Sequence, residues 1–435
     1  MPTYIPFQAG WAAREITPDI PCRMGGYIAR TAPANAMHDP LCACALALGS
    51  REQPLVLVIC DLVGVDEALV DEVRAQVVTQ YPGASVWLGA THTHSGPDVA
   101  RSLSFTRESP DPTLSQRISV GANSAAEAAL ANLHPVWVKW ASGRVDDIAG
   151  NRDHPETAVD LMLDMLCFYE TDEPQTQPSA LFASFPCHPT ILGAENLALS
   201  ADLPGAFRRQ LRALLGNKVW VALATGAAGD ISARHTRQGQ DFAELKRLGA
   251  LLAQQAYTLL TDARPLTLAQ PRTRAIHVAF EPKEPLASDV LATSILNVQA
   301  RMNAEQQAGN LAQARTLETV VQGFEVAQRG TTLAPGEQLP TLAVSVSFLG
   351  ELALVAVPAE LYHQSGLQIK RAGKHAVLLL GYTNGYAGYL PTRAAYATMD
   401  YEALVSPFAP GSAEHLATML EQLLKQEESR YHATG

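Results

Sequence analysis

The sequence predicts an α/β protein with a mixed, largely buried β-sheet core that is flanked by helices. The chain has 435 residues, of which 47% are hydrophobic and only 17% are charged, as is typical of a large globular body. Short apolar runs of strand length recur between longer segments with helical spacing. No internal repeat, low-complexity tract or clear linker interrupts them, so we expect one continuous domain over residues 1–435.

The first elements predict a βαβ unit. Residues 41–49 and 54–60 are apolar and indicate two strands joined by a short polar turn. Residues 66–80 follow with helical spacing, and residues 84–90 form another apolar run. A strand, a helix and a second buried strand favour a parallel pair.

The later elements continue this alternation. Further strands are predicted at 135–141, 162–170, 179–185, 218–224, 341–357 (two strands) and 376–380, and helices at 113–133, 204–215, 242–261 and 412–429. Residues 286–329 are rich in Ala, Gln, Leu and Glu, contain no proline and break near Gly309. This segment predicts a helical-hairpin insertion that acts as an accessory layer.

Charge and cysteine use exclude several classes of protein. The net charge of −11 argues against a partner made of nucleic acid or anionic membrane. No run reaches the roughly 18 apolar residues of a membrane span, and the first residues lack a basic and then apolar leader. The six cysteines form no C-x-x-C pair and mostly lie in apolar runs: Cys22, Cys42, Cys44, Cys60, Cys167 and Cys187. We therefore expect a soluble, cytoplasmic protein with reduced thiols, which could form a homo-oligomer.

The motif Thr91-His92-Thr93-His94-Ser95-Gly96-Pro97 directly follows the apolar run 84–90. On extended backbone, residues i and i+2 point to the same side, so His92 and His94 would face one metal or substrate. By itself the motif is equally compatible with two polar residues in a loop.

Polar side chains follow six of the predicted strands. They are Asp61, His92 with His94, His188, Asp230 with Ser232, Glu360, and Tyr386 with Tyr389. In open α/β sheets, ligands bind beyond the carboxyl ends of strands, so six strands that each deliver such a residue favour one shared site. Two imidazoles and a carboxylate, from His92, His188 and Glu360, would suit a catalytic zinc with one position left for water. The alternatives are a core histidine at 188 and a carboxylate at a helix N-terminus at 360.

Several collinear motifs resemble the N-terminal catalytic domain of the neutral (non-lysosomal) ceramidases. They are Met24 to Tyr27, His38 to Leu41, Asp61-Leu62, Thr91 to Pro97, Asn151-Arg152, the His188 segment, Gly229 to Ser232 and Asn384 to Glu402. The resemblance spans about residues 10 to 405, and the Thr91–Pro97 heptapeptide is its most specific part. It resembles a short form without the immunoglobulin-like C-terminal domain of longer members. Members of that family are zinc amidases that cleave the N-acyl bond of ceramide.

The resemblance implies a role for each matching residue. His92, His188, Glu360 and Tyr389 match the zinc ligands, and His94 matches the neighbour that handles the proton. Arg152 and Tyr401 match active-site residues that would stabilise the oxyanion, and Ser232 matches the serine of a Gly-Asp-x-Ser block. Ser232 would be a nucleophile, a substrate-orienting group, or an N-cap or turn residue. Three blocks depart from the family pattern: Asp153-His154 replaces Ser-Pro, Pro189 replaces glycine, and Ala233-Arg234 replaces Pro-Asn.

The resemblance implies a zinc-dependent hydrolase of linear amides in lipid metabolism, acting on ceramide or on another small or lipid-like N-acyl substrate. Water activated by Zn²⁺ would attack the carbonyl, with His94 as general base and then general acid. Two rival functions remain open at this point. One is an esterase, lactonase or other small-molecule hydrolase on the same scaffold, and the other is a binding protein without catalysis.

Overall fold

The structure is a computed structural model that describes residues 6–100, 111–173, 177–328 and 341–433. Its strands are β1 (Phe7–Glu15), β2 (Ala36–Met37), β3 (Cys42–Leu48), β4 (Leu55–Cys60), β5 (Ser85–Ala90), β6 (His134–Arg144), β7 (Gly150–Asn151), β8 (Met162–Tyr169), β9 (Ala180–Phe185), β10 (Ala198–Leu199), β11 (Trp220–Thr225), β12 (Ile231–Ser232), β13 (Arg264–Pro265), β14 (Arg272–Val278), β15 (Leu342–Leu349), β16 (Leu352–Ala356), β17 (Glu360–Leu361), β18 (Ala376–Leu380) and β19 (Tyr389–Leu390).

The helices are α1 (Glu67–Gln80), α2 (Pro112–Ala131), α3 (Asp202–Leu215), α4 (Phe242–Leu259), α5 (Ser288–Gln307), α6 (Leu311–Gln328), α7 (His363–Lys370), α8 (Arg393–Thr398), α9 (Tyr401–Val405) and α10 (Ser412–Ala433). All the longer strands and helices named from the sequence are present within a few residues of their predicted bounds. The α/β class is confirmed. Residue 329, at the end of the predicted hairpin, lies outside the described residues.

A large mixed sheet and a smaller sheet form the body of the protein. The large sheet has the order β11-β9-β8-β6-β1-β3-β4-β5, with β13 added beside β6, and the small sheet has the order β14-β15-β16-β18. The predicted βαβ unit is confirmed, because β4 and β5 pair in parallel. The pairs β9–β11 and β16–β18 are also parallel, and the other neighbours in the two sheets are antiparallel.

Alternate residues along the strands pack into different layers. In β4, Leu55 and Leu57 join a core that lies between the two sheets, whereas Val56 and Val58 pack with residues of α1 and α2. In β16, Leu354 faces the same inter-sheet core, and Val355 packs on the side of α7 and α10. Because side chains alternate across a strand, two-sided burial of this kind requires a helical layer outside each sheet. The architecture is therefore helix, sheet, sheet, helix, with α3 and α4 covering the other half of the large sheet.

The large sheet brings its two edges together. The hydroxyl of Thr225, at the end of β11, donates to the carbonyl of Thr91, just after β5, at 2.6 Å. A twist of about 20–25° per strand accumulates to roughly 150° over the seven steps of this sheet. Within the sheet, the edge pair β4–β5 runs in the opposite direction to the edge pair β9–β11. Because the twist rotates one edge by this angle relative to the other, the carboxyl ends of β5, β9 and β11 can still meet.

Among the longer strands, the sequence interpretation missed β1 and β14. The hairpin of α5 and α6 is confirmed, but it is more than a peripheral layer. Gly323 on α6 packs directly against Tyr401 and Leu404 of α9, where an added Cβ would lie 3.1 Å from a side-chain atom of each. The hairpin therefore supports the helix that carries one of the predicted site residues.

Candidate active site

The loop after β5 presents both histidines of the Thr91–Pro97 motif to one point. Their Nε2 atoms lie 3.2 Å apart, and both side chains are buried. The premise of extended backbone is wrong, since the strand ends at Ala90 and His92 has a φ of 64°. A left-handed residue is costly for any side chain with a Cβ and is kept where the surroundings require it. The convergence that the motif predicted thus comes from a turn and not from strand alternation.

Backbone carbonyls determine which ring nitrogen of the two central histidines faces the site. Nδ1 of His92 lies against the carbonyl of Val63, and Nδ1 of His188 lies 2.7 Å from the carbonyl of Ala228. A carbonyl only accepts, so each Nδ1 must carry the proton and each Nε2 must present a lone pair. The two Nε2 atoms are 3.1 Å apart, which places two lone pairs face to face in a buried space.

Glu360 on β17 brings a carboxylate to the same point. Its Oε2 lies 3.0 Å from Nε2 of His188 and 3.4 Å from Nε2 of His92. Burial by itself would raise the pKa of Glu360, and a proton on either imidazole would outweigh burial and hold this pKa well below its ordinary value. The pKa of His188 is lowered to about 4, first by burial and then by the charge of Arg152. His188 is thereby suited to bind as a neutral ligand.

The donor set fits a bound cation. Lone pairs of neutral imidazoles and an ionised carboxylate converge at a point where few hydrogen-bond donors reach them, and a cation would satisfy them. Imidazole nitrogens with a carboxylate oxygen form a ligand set that is compatible with zinc. The nitrogens of His92, His94 and His188 all lie within 4.8 Å of one another, so these three also form a group that could hold a metal. Two sets of possible metal ligands therefore overlap. Both contain His92 and His188, and the third ligand is Glu360 in one set and His94 in the other.

Tyr389, Arg152 and Tyr401 form the wall next to His188. Tyr389 pairs with Glu360 in the short β17–β19 ladder, and its ring centroid lies 6.4 Å from that of His188. The guanidinium carbon of Arg152 lies 5.5 Å from the centroid of the Tyr389 ring. The centroid of the Tyr401 ring lies 6.1 Å from the same Tyr389 centroid. The buried Nε of Arg152 has no hydrogen-bond acceptor among the described residues. All four residues matched to zinc ligands and both oxyanion candidates are thus brought together.

Ser232 lies beside the site at the end of β12, where the chain enters a turn. Its hydroxyl accepts from the backbone N–H of Arg234 at 3.2 Å, and its backbone bridges to His188. Within the described residues, no hydrogen bond joins this hydroxyl to a histidine. The turn interpretation agrees with these contacts, and a nucleophilic serine would need a base that is absent from them.

The two aspartates that follow strands have structural partners. Asp61 accepts hydrogen bonds from Arg208 through both carboxylate oxygens and from the N–H of Cys42 at 2.8 Å. Both oxygens of its carboxylate are therefore engaged in structural contacts. Asp230 accepts from the N–H of His363 at 2.7 Å, at the start of α7, and from the side chain of Asn151 at 3.1 Å.

The structure adds residues that sequence reasoning left without a role. Tyr382 lies 3.3 Å from Oε2 of Glu360 through its hydroxyl, and Tyr386 contacts Oε1 of the same carboxylate. Glu402 forms a buried ion pair with Arg152 and accepts from the hydroxyl of Tyr362 at 3.1 Å. The strand-end position of Tyr386 and the proximity of Glu402 to Tyr401 in sequence were the available signals.

Comparison with known proteins confirms the resemblance to the neutral ceramidases. The chain is 25% identical, over 93% of its length, to the neutral ceramidase of Pseudomonas aeruginosa and covers 70% of that protein. The crystal structure of neutral ceramidase from Pseudomonas aeruginosa superimposes with a TM-score of 0.75 at 21% identity, covering 96% of this chain and 74% of that one. A structure of a ceramidase complexed with C2 gives the same TM-score at 20% identity, covering 97% and 76%. No family model matches the chain.

Proposed function

We propose that this homologue of neutral ceramidase is a zinc-dependent hydrolase that cleaves linear N-acyl amide bonds. The observation that carries the proposal is the convergence of Nε2 of His92, Nε2 of His188 and Oε2 of Glu360 within 3.0–3.4 Å of one another. Two imidazoles, a carboxylate and an open position are typical of catalytic zinc sites. The similarity to a neutral ceramidase over most of the chain supports the amide as the scissile bond.

In this proposal the metal is held by His92, His188, Glu360 and Tyr389. When bound, zinc would polarise the substrate carbonyl and lower the pKa of a water molecule to about 7. His94 is assigned to proton transfer, although it is also one of the three clustered histidines. It lies beside the ligands and its buried Nδ1 has no partner among the described residues.

His94 accepts the proton of the attacking water and later donates it to the leaving nitrogen. Burial, followed by the neighbouring His92 and His188, lowers the pKa of His94 well below its ordinary value, so the imidazole is neutral and available as a base. Arg152 and Tyr401 lie beside Tyr389 and stabilise the charge that develops on the carbonyl oxygen. One such donor is commonly worth about 2.7–4 kcal/mol in the transition state. Ser232 orients the substrate.

The proposed substrate is a lipid-like or smaller N-acyl amine. No helix in the described part of the chain is long and apolar enough to cross a membrane. The substrate test compares short N-acyl amines with micellar ceramide and with matched esters, using protein purified with zinc. Turnover of an amide supports the proposal, and turnover of esters alone, or no zinc in the purified protein, would contradict it.

The variant His94→Ala separates the two roles open to this histidine. If His94 carries the proton, the variant should keep its zinc content, and its turnover should fall by roughly 100- to 10,000-fold. Loss of zinc from the variant would identify His94 as a ligand, and full turnover would disprove both roles. Metal content is measured by mass spectrometry and turnover by release of the free amine.

A further inference from the structure

The Arg152 loop and helix α9 contact each other through one pair of side chains. Nε2 of His154 lies 3.0 Å from Oδ1 and 3.1 Å from Oδ2 of Asp400, the residue that precedes Tyr401. The Asp400 side chain is only 8% exposed, whereas that of His154 is 37% exposed. The pair therefore links the two segments that carry the proposed oxyanion donors, Arg152 and Tyr401.

The loop end of this link is rigidly held. The N–H groups of Asp153 and His154 donate to Oδ1 of Asn151 at 3.0 and 2.8 Å. The side chain of Asn151 donates to Asp230, whose carbonyl accepts from the N–H of Arg152 at 2.9 Å. Such a side-chain turn locks the loop against the β7–β12 ladder, so His154 extends from a defined position.

The helix end of the link has little stability of its own. Helix α9 has five residues, and Asp400 at its N-cap makes no side-chain hydrogen bond to its own helix. Isolated helices of this length do not persist in water, so contacts from elsewhere must hold α9 in place. The carboxylate that would ordinarily cap the helix is directed to His154 instead.

We propose that His154 is a positioning residue that, through Asp400, holds Tyr401 against Tyr389 and Arg152 for catalysis. The proposal rests on the hydrolase function proposed above. His154 makes no contact with the substrate in this proposal, and it affects turnover only by positioning Tyr401.

The charges around His154 make the link stronger when the imidazole is protonated. Asp400, Asp153 and Glu156 face it, with Oε1 of Glu156 at 3.8 Å from Nδ1. Burial lowers the pKa of His154, but these carboxylates outweigh burial and raise it above its ordinary value. The charged link is complete below the ordinary pKa of about 6.5 and is lost as the pH rises through the raised pKa of the folded protein.

The test compares His154→Ala, His154→Gln, Tyr401→Phe and the double variant His154→Ala/Tyr401→Phe in the zinc-loaded protein. We expect His154→Ala to lower kcat by roughly 10- to 100-fold with little change in KM, as a misplaced catalytic group does. In the Tyr401→Phe background the same change should have almost no further effect. In the wild type we expect kcat to decline at alkaline pH as His154 loses its proton. Gln can donate one uncharged hydrogen bond, so His154→Gln should retain most of the activity and should not show this decline of kcat.

A matched control and a second measurement separate this inference from the proposed function. His134 forms a similar, partly exposed pair with Glu170 at 3.3 Å, and His134→Ala should leave kcat unchanged. Hydrogen exchange needs no substrate, and His154→Ala should speed exchange of the amides of Leu404 in α9 and of Ser406, which caps its C-terminal end. Unchanged exchange, wild-type kcat in His154→Ala, or independent effects in the double variant would overturn the inference. An inactive wild type contradicts the proposed function, and the exchange measurement still decides the link.

Discussion

Glu360 shows how one carboxylate can be held by groups from several distant segments. Its two oxygens contact the hydroxyls of Tyr382 and Tyr386 as well as the two imidazoles. Outer partners of this kind fix the orientation of a metal ligand and commonly contribute 10- to 100-fold to metal affinity.

The variant Tyr386→Phe removes one hydroxyl from Glu360 without changing the ring. We expect zinc affinity to fall by roughly tenfold, because the carboxylate loses a hydrogen bond that orients it. Competition with a chelator measures the affinity. Tyr257→Phe, at a 40% exposed position on α4, is the matched control and should bind zinc as the wild type does. Equal affinities in the two variants would exclude this role for Tyr386.

Residue 26 must be a glycine because its backbone lies very close to the ring of His94. Its φ is +92°, and an added Cβ would lie 2.5 Å from Cγ and Nδ1 of the His94 ring. We expect Gly26→Ala to displace this ring and to lower turnover by roughly 10- to 100-fold, as misplacement of a catalytic group does.

Gly309 provides the control for the backbone effect of this substitution. It has a φ of +80° with nothing within 4 Å of an added Cβ, so Gly309→Ala carries the conformational strain without the clash. Its turnover should match the wild type, with a loss of about 1 kcal/mol in the free energy of unfolding. If both glycine variants had the same turnover, close packing against His94 would not be needed.

At the scale of elements, the fully buried long strands were predictable, whereas the half-buried strands β1 and β14 were missed. The strand β4, Leu-Val-Leu-Val-Ile-Cys, is buried throughout and is strongly apolar. The strand β14 contains two arginines and a histidine and is largely exposed at the edge of its sheet. Its hydrophobic pattern is weak because only one face contacts the core, so neighbouring strands determine its structure more than its own residues do.

Helix α9 depends on a lysine from a distant segment. Nζ of Lys283 donates to the carbonyls of Ala403 and Leu404 at 2.7 and 2.6 Å, near the C-terminal end of the helix. Burial lowers the pKa of Lys283 to about 8 from an ordinary value of 10.5. The folded chain therefore loses this proton at lower pH than the unfolded chain does.

The variant Lys283→Met tests that linkage. Between pH 8 and 10.5 the unfolded chain binds more protons at this group, so its contribution to the stability of the folded protein increases as the pH rises. We expect the free energy of unfolding of the wild type, relative to Lys283→Met, to increase from pH 7.5 to pH 10 in denaturant titrations. A relative stability that falls over this range would contradict the assignment.

At the scale of the whole molecule, metal binding should be linked to folding. The proposed ligands come from the loops after β5 and β9 and from β17 and β19, so unfolding destroys the site. Free zinc at 100 times its dissociation constant should add about 2.7 kcal/mol to the stability of the folded protein. Thermal unfolding with zinc and with a chelator measures this effect. His188→Ala should unfold at the same temperature in both conditions, and a wild type that did so would contradict the metal site.

Some properties of the whole molecule stay predictions. They include the single domain over residues 1–435, the cytoplasmic location and the formation of a homo-oligomer. The six cysteines, all within the described ranges, are free in the structure. Burial raises the pKa of each thiol, so none is activated as a thiolate.

The amino-acid sequence by itself determined the class of fold, the order of the main elements and the residue types that converge on the site. These properties follow from local patterns, namely apolar runs, helical spacing and polar residues placed directly after strands. Only the tertiary structure decided which of those residues meet and what holds them. Tyr386 on Glu360, the carbonyl of Ala228 on His188 and Asp400 on His154 are contacts between segments remote in sequence. The folding of the two sheets against each other creates these contacts, and no local pattern encodes them.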